Sequence, residues 1–574
     1  MNTIKPWQKA LVVVLILFGI LIRFFFISKG PEFLINWWIL IDDSFYSFKI
    51  ANNVAEGKGL SVDGIHPTNG IQPLYLGILV PIFFLFRKSL FTPVTLAISI
   101  TSIFNIFTGY FIYRIVREKA NYAAAIFSLF LWCFSMTVVN LGMNGLETSI
   151  ATFFCILSSF YYLKYIKRNS ERKLENIIIF GLFLGLTCLA RLDGTIFLLA
   201  LLIDFLVSKR EKKKEEIYSY VIAGIFVFPW LLSSLLRMGT IVPISGQAAR
   251  LIALINGIRP YFSVLTSRPE FFPIDSPPAK FYIIHILGSF HIFKMYSFFL
   301  YPFNFLETFL LKISLLINFS YFKLQVGVAA MVIATVIIIL FKKGNEVFKK
   351  IEEFFKNIKD LNFLIYFVIL LFINYSFYVF GMWHYPRYYF PVCAIAAVYS
   401  GLFFDLIFRK ILKEGISLNK AVVNVFVIFV YLSYSLFFIY GKNMDNFYGL
   451  KTYLKPKDFN LFYYETAHWI NKNIPKGEKI GVIESGMIGY FCKDHRVINL
   501  DGVQNKDAFE ACRDKRMLSY IKNDGIKYVV GQEVLIINQL WKRSTFEDRK
   551  SARLQYIATV GDARGLQMKI YKVF

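Results

Sequence analysis

Two adjacent carboxylates, Asp42 and Asp43, open the polar part of the stretch ILIDDSFYSFKIANNVAEGKGLSVDGIHPTNGIQPLY, just after the first apolar run. Paired acids in such a place suit a general base or a metal ligand. Asp is also a favoured N-cap and is stabilised by the helix dipole. One cap needs one side chain, so the second carboxylate is left over. Phe45, Phe48, Ala51 and Ala55 recur behind the pair at helical spacing, and Gly57 and Gly59 end the pattern. This predicts a short amphipathic helix lying on a membrane surface. Glu147 follows Asn144 and Gly145 near an apolar run, where it reads as a helix N-terminal acid or a pocket group. Arg191 and Asp193, in LARLDG, read as an ion pair between helices or as part of a site. Arg387, in WHYPRYYFP, and Arg250, in GTIVPISGQAAR, would either snorkel to the membrane interface or grip a phosphate bidentately. His66, His384 and His468 are too scattered to suggest zinc. No GxSxG, HExxH or P-loop pattern occurs, so the common hydrolase and nucleotide routes lack support.

The elements that position these residues are membrane spans. The 574-residue chain is 56% hydrophobic and 18% charged, where a soluble protein carries about a quarter charged residues. Eleven apolar runs approach the length of a span, near residues 8–28, 91–115, 122–141, 146–165, 175–190, 194–208, 217–236, 326–342, 361–381, 389–408 and 421–440. The first lacks a small-residue cleavage site and reads as a retained anchor. Basic clusters at Lys164–Lys173, Lys209–Lys214, Lys342–Lys350 and Arg409–Lys413, with Lys5 and Lys9, put those loops and the N-terminus in the cytoplasm. Parity then requires the short apolar run 73–86 to be a juxtamembrane or re-entrant helix rather than a span. The external regions become the loop 29–72, the turns at Asn144–Glu147, Arg191–Gly194 and Trp383–Tyr388, the long loop 237–325, and the tail from about 441.

The tail alternates strand-like segments, Lys479–Ile483, Arg496–Leu500 and Ile526–Val530, with helical ones such as Ala508–Lys522. It predicts a small, mostly parallel α/β domain. The expected architecture is thus a mainly α, polytopic membrane domain over residues 1–440 and a soluble extracytoplasmic α/β domain over 441–574. The net charge of +26 fits cytoplasmic loops and anionic headgroups better than nucleic acid. Of six cysteines, Cys492 and Cys512 lie in the tail and are candidates for one disulfide.

The stretch DDSFYSFKIANNVAEGKGLSVDGIHPTNGIQPLY resembles the first external loop of GT-C fold glycosyltransferases, polytopic enzymes that use polyprenyl-phosphate-linked sugars. The likeness points to their bacterial arabinofuranosyltransferase-like and mannosyltransferase-like branch. NGLETSI, LARLDG, GTIVPISGQAAR and VINLDGVQN look similar to further segments of those enzymes, in the same order. Leu192 stands in place of a usual Pro, Ile244 in place of Asn, and Arg250 in place of Lys. The resemblance implies an inverting transferase of the plasma membrane, taking a polyprenyl-phosphate sugar to a glycan, lipid or protein acceptor. Asp42 or Asp43 would be the base, and Arg387 and Arg250 would bind the donor phosphate. Glu147, Arg191, Asp193 and Tyr388 would shape the pocket, with His66, Asn69 and Gln72 on the acceptor side. No cofactor is required; a divalent cation held by Asp42 or Asp43 is compatible. A transporter or flippase of lipid-linked saccharides is the alternative, although it would need neither two external carboxylates nor a folded tail.

Overall fold

The computed structural model describes residues 5–37, 39–167, 173–208, 214–256, 349–375, 386–406, 461–563 and 566–574. Among them, five helices are long and apolar enough to cross a membrane: Pro6–Ile27, Thr92–Lys119, Thr148–Lys167, Lys214–Met238 and Arg387–Phe404. Shorter apolar helices cover Tyr122–Phe134, Leu174–Ala190 and Gly194–Val207. The apolar run 122–141 is not continuous, because Ser135 is extended and separates Tyr122–Phe134 from Met136–Gly142. The expected spans 326–342 and 421–440, and His384, lie outside the described residues.

Two polar anchors tie the bundle. Arg23, in the C-terminal part of the helix Pro6–Ile27, is fully buried. Its guanidinium donates to Asn105 Oδ1 at 2.6 and 3.1 Å and to the carbonyls of Gly19 and Cys133 at 2.9 and 3.0 Å. A cation in such a place persists only when its donors are satisfied, and these bonds join three helices. Towards the other end, Lys167 Nζ sits 2.8 Å from both oxygens of Asp204 and donates to the Asp360 carbonyl at 2.8 Å.

Residues 73–86 form the helix Pro73–Leu85. Its 13 residues rise about 20 Å, short of the ~30 Å hydrocarbon core. Tyr75, Leu79 and Phe83 are buried on one face, while Phe84 and Leu85 are exposed.

The helix predicted behind the paired carboxylates is present as Asp42–Ala55, and Gly57 and Gly59 follow it with φ of 77° and 78°. Its apolar face does not meet lipid as expected. Phe45 and Phe48 are fully buried and pack against Tyr490, Phe491 and Phe83. The first loop and the C-terminal part therefore share one apolar core.

The C-terminal part carries a five-stranded sheet of order β2-β1-β3-β5-β4. The strands are β1 (Lys479–Val482), β2 (Arg496–Asn499), β3 (Tyr528–Gln532), β4 (Leu554–Ala563) and β5 (Leu566–Val573). The first three are parallel neighbours, as expected. The antiparallel hairpin β4–β5, paired to β3 through β5, was not anticipated and makes the sheet mixed. The expected helix over 508–522 is two helices, Lys506–Arg513 and Met517–Asn523, broken where Lys515 takes φ of 57°. Cys492 and Cys512 are free thiols buried in different core clusters, so the candidate disulfide is absent.

The six-residue helix Gly486–Phe491 lies against the loop helix so closely that a Cβ on Gly486 would sit 2.2 Å from the Asp42 carbonyl oxygen. One on Gly489 would first touch Val497, at 3.7 Å. Gly486→Ala should therefore cost about 1–3 kcal/mol, and Gly489→Ala should cost far less. Thermal unfolding of the two purified variants checks this.

A candidate active site between the first loop and the C-terminal domain

Asp42 and Asp43 are the first two residues of the loop helix, and neither makes a capping hydrogen bond to it. Their side chains divide the work. The Asp42 carboxylate accepts the backbone N–H of Met487 at 2.6 Å and of Gly486 at 3.2 Å. It thus caps a different helix, in the C-terminal domain. Burial pushes its carboxyl well above the usual range, the N–H groups of Met487 and Gly486 oppose this, and the charges of Asp43 and Glu484 add to it. Asp43 is 44% exposed and lies 2.6 Å from Arg387 Nη1. Asp43 is the carboxylate with an open face.

Arg387 begins a chain of contacts that gathers most of the sequence-predicted residues. Its guanidinium lies over the Tyr388 ring at 5.2 Å, and that of Arg191 lies 5.4 Å from the same ring. Tyr388 stacks on Tyr375, centroids 4.9 Å apart. The Tyr375 hydroxyl donates to Asp193 at 2.5 Å and accepts from Arg191 at 3.2 Å. Arg191 also binds Asp193 at 2.9 Å and Glu147 at 3.1 Å. Glu147 precedes the helix Thr148–Tyr161 without capping it. Asp43, Arg387, Tyr388, Arg191, Asp193 and Glu147 thus form one connected set. Tyr375 was not anticipated.

Of the residues expected on the acceptor side, His66 joins the loop to the tail, and Asn69 joins it to the start of the helix Ile244–Asn256. His66 Nδ1 is 2.7 Å from Asp63, and its Nε2 is 3.7 Å from both Asp507 and Asp524 of the C-terminal domain. Burial works against a proton on His66. The Asp63 carboxylate, with Asp524 and Asp507 behind it, outweighs that and holds the imidazolium above the ordinary histidine value. Asn69 Oδ1 accepts the Ile244 N–H at 2.8 Å. Thr68 and Gly70 both bond Gln504, at 2.9 and 3.0 Å. Gln72 immediately precedes the helix Pro73–Leu85 and makes no cap bond to it. Arg250 lies in the helix Ile244–Asn256.

Facing the loop helix is the carboxyl end of the parallel strands, and sequence reading gave no role to the polar residues there, although Asn499 and Asp501 lie in VINLDGVQN. Glu484 follows β1, Asn499 ends β2, Asp501 follows it, and Gln532 ends β3. In open α/β sheets this edge is where functional groups collect, a signal available once the strands are recognised. Glu484 accepts from Tyr463 at 2.5 Å and from Gln532 at 3.2 Å. Its own N–H donates to Asp501 at 3.1 Å. Tyr46, one turn beyond Asp42, accepts the Ser485 N–H at 2.8 Å. Burial, with the charges of Asp501 and Asp43 and against the Tyr463 and Gln532 hydrogen bonds, pushes Glu484 up to about 7.

Among the described residues no three His, Cys, Asp or Glu side chains converge as around a metal ion. Asp42 offers its oxygens to backbone N–H groups and Asp43 is paired with Arg387.

The helical membrane part, the first-loop helix and the C-terminal sheet together have the fold of two solved proteins. Residues 73–233 match the family described as dolichyl-phosphate-mannose-protein mannosyltransferase, and residues 455–573 match a domain of unknown function (DUF8728). The apo oligosaccharyltransferase of Archaeoglobus fulgidus is similar over 98% of this chain and 75% of its own, at 12% identity and a TM-score of 0.51. ArnT of Cupriavidus metallidurans, in its structure bound to undecaprenyl phosphate, is similar over 98% of this chain and 97% of its own, at 11% identity and a TM-score of 0.51. A comparison with curated protein sequences found no match.

Asp42→Ala strands two N–H groups and should cost about 1–3 kcal/mol. Asp43→Asn can still accept from Arg387 and should cost less than about 1 kcal/mol. Unfolding midpoints of the two variants separate the joint from the open carboxylate. The His66 clamp carries a sign with pH. Because the folded state raises His66, its stabilisation is complete below about 6.5 and is lost as pH rises through the raised value. His66→Gln should therefore be most destabilising in mild acid and approach wild type in alkali, read from melting curves across that range.

Proposed function

We propose that this chain is a glycosyltransferase that moves a sugar from a polyprenyl-phosphate donor to a glycan, lipid or protein acceptor on the extracytoplasmic face of the plasma membrane. The observation that carries the reading is the Asp43–Arg387 contact at 2.6 Å. It puts an open carboxylate and a guanidinium, from distant parts of the chain, at one point beside the membrane helices. The fold shared with an oligosaccharyltransferase and with ArnT supports the donor class, since the latter was captured with undecaprenyl phosphate. The topology that goes with it has eleven spans, a cytoplasmic N-terminus and an external C-terminal domain, in the bilayer with membrane lipids and without nucleic acid.

In this mechanism Asp43 takes the proton of an acceptor hydroxyl as its oxygen attacks the anomeric carbon. The bond from that carbon to the phosphate oxygen breaks on the opposite face, its electron pair leaves with the polyprenyl phosphate, and the anomeric centre inverts. Polyprenyl phosphate is a fair leaving group, and its developing charge needs a cation more than an acid. Arg387 supplies that cation, with Arg250 as a second. Arg191, Asp193, Glu147 and Tyr388 hold the pocket wall behind Arg387. His66, Asn69 and Gln72 would lie on the acceptor side, His66 fixing the loop against the C-terminal domain and Asn69 fixing it against the segment at Ile244.

Asp43→Asn should lower transfer ~10²–10⁴-fold while donor binding is retained. Arg387→Ala should weaken donor binding and turnover together, and Arg387→Lys should recover only part of each, because a point charge replaces a planar fork. The check is sugar release from undecaprenyl-phosphate-linked glucose, mannose and arabinose by purified protein in detergent. Full transfer by Asp43→Asn would remove Asp43 as the base.

A further inference from the structure

Tyr375 joins two parts of the contact set around Arg387. It follows the helix Asn362–Ile373 and is 6% exposed. Its ring lies flat on Tyr388, centroids 4.9 Å apart and planes 8° apart, and meets the Tyr389 ring at 5.5 Å and 60°. Tyr388 and Tyr389 are the two residues after Arg387 in the short 3-10 turn Pro386–Tyr389. The Tyr375 hydroxyl is used in both directions, donating to Asp193 Oδ2 at 2.5 Å and accepting from Arg191 Nη2 at 3.2 Å. The same Asp193 oxygen takes Arg191 Nε at 3.1 Å, and Arg191 Nη1 goes on to Glu147 at 3.1 Å. One side chain thus ties the turn that carries Arg387 to an ion cluster at the ends of other helices. What the stacked Tyr388 supports is Arg387 itself. The guanidinium lies over that ring at 5.2 Å, and its Nη2 is 3.4 Å from the Tyr388 hydroxyl. An arginine grips phosphate through a planar fork, so the direction of the plane counts as well as the charge.

We propose that Tyr375 is a positioning residue for the donor phosphate: through the stacked Tyr388 ring it holds the Arg387 fork in the direction that takes the phosphate, and its hydroxyl locks that stack to Asp193 and Arg191. The inference rests on Arg387 being the cation that meets the donor phosphate. Stacked rings hold a plane, and a hydroxyl bonded on both sides holds the ring along that plane. Without the hydroxyl the Tyr375 ring still fills its place but is untethered from Asp193, and Arg387 spends less time in the productive direction. Without the ring the wall behind Tyr388 is gone, and the loss is larger.

The test measures binding of undecaprenyl phosphate and of uncharged undecaprenol to the purified full-length protein by native mass spectrometry. It uses wild type, Tyr375→Phe, Tyr375→Leu and Arg387→Ala, and each Tyr375 variant combined with Arg387→Ala. Undecaprenyl phosphate should bind about 10-fold more weakly to Tyr375→Phe and about 100-fold more weakly to Tyr375→Leu, the scale on which misplacement of a binding group acts. Undecaprenol should bind all of them alike. In the Arg387→Ala background neither Tyr375 variant should weaken binding further, because residues that act through one contact do not add. Tyr375→Phe keeps the volume and the stack, so it decides the matter even if Tyr375→Leu does not fold. Tyr375→Phe binding undecaprenyl phosphate as tightly as wild type, or losing the same affinity with and without Arg387, would overturn the inference and leave the transferase reading intact. A wild type that binds the two lipids alike, or an Arg387→Ala variant as tight as wild type, would overturn the phosphate role of Arg387 and the inference with it.

Discussion

The grip of the Asp42 carboxylate on the N–H groups of Gly486 and Met487 is the contact on which the site depends. It is a charge-assisted bond made in a buried place, where such bonds are strong and costly to leave unmade. Around it the joint closes in layers. Phe45 and Phe48 bury against Tyr490 and Phe491, Tyr46 takes the Ser485 N–H, and Gln504 spans Thr68 and Gly70. The outcome is that Asp43, the next residue, has no freedom to choose its direction. The turn of the helix that commits Asp42 to the C-terminal domain points Asp43 towards Arg387.

The membrane side of the site is fixed in another way. Arg191, Asp193, Glu147 and Tyr375 form a nearly closed set of charges and hydrogen bonds, and the stacked Tyr375–Tyr388 pair carries its rigidity to Arg387. Buried ionic groups of this kind add little net stability, since desolvation offsets their attraction. They do fix geometry, and the proposed transfer would need its cation and base held to a fraction of an ångström. Two distinct frameworks, one helical and one built on a sheet, thus both bear on one ion pair.

Much of this was legible in the sequence, for identifiable reasons. Hydropathy marked the long helices because length and apolar content are what a bilayer demands. Helical spacing marked the loop helix, and residue types marked Asp43, Arg387, Arg191 and Glu147. What escaped depends on contacts distant in sequence. The face of Phe45 and Phe48 looks the same whether lipid or protein covers it, so the amphipathic pattern could not reveal the C-terminal domain as its partner. One of the paired carboxylates, Asp43 before Asp42, reads as a cap of its own helix, when neither caps it and Asp42 caps another. His66 and Asn69 have the polar character of a binding surface and serve a joint. Glu484 follows a recognisable strand, but only the β2-β1-β3 order gives its position meaning. The β4–β5 hairpin was missed although β5, LQMKIYKV, alternates apolar and polar residues over its first five positions.

The charges at the meeting point answer a problem that any such reaction poses. A carboxylate base and a phosphate leaving group repel one another, by about 3 kcal/mol at ~6 Å in an effective dielectric of about 20. The repulsion grows as the phosphate gathers charge in the transition state. In the proposed transfer, Arg387 between them would turn that repulsion into two attractions to a shared guanidinium. It can serve both only if its direction is fixed, and the Tyr388 ring, shared with Arg191, lies against the guanidinium that meets Asp43.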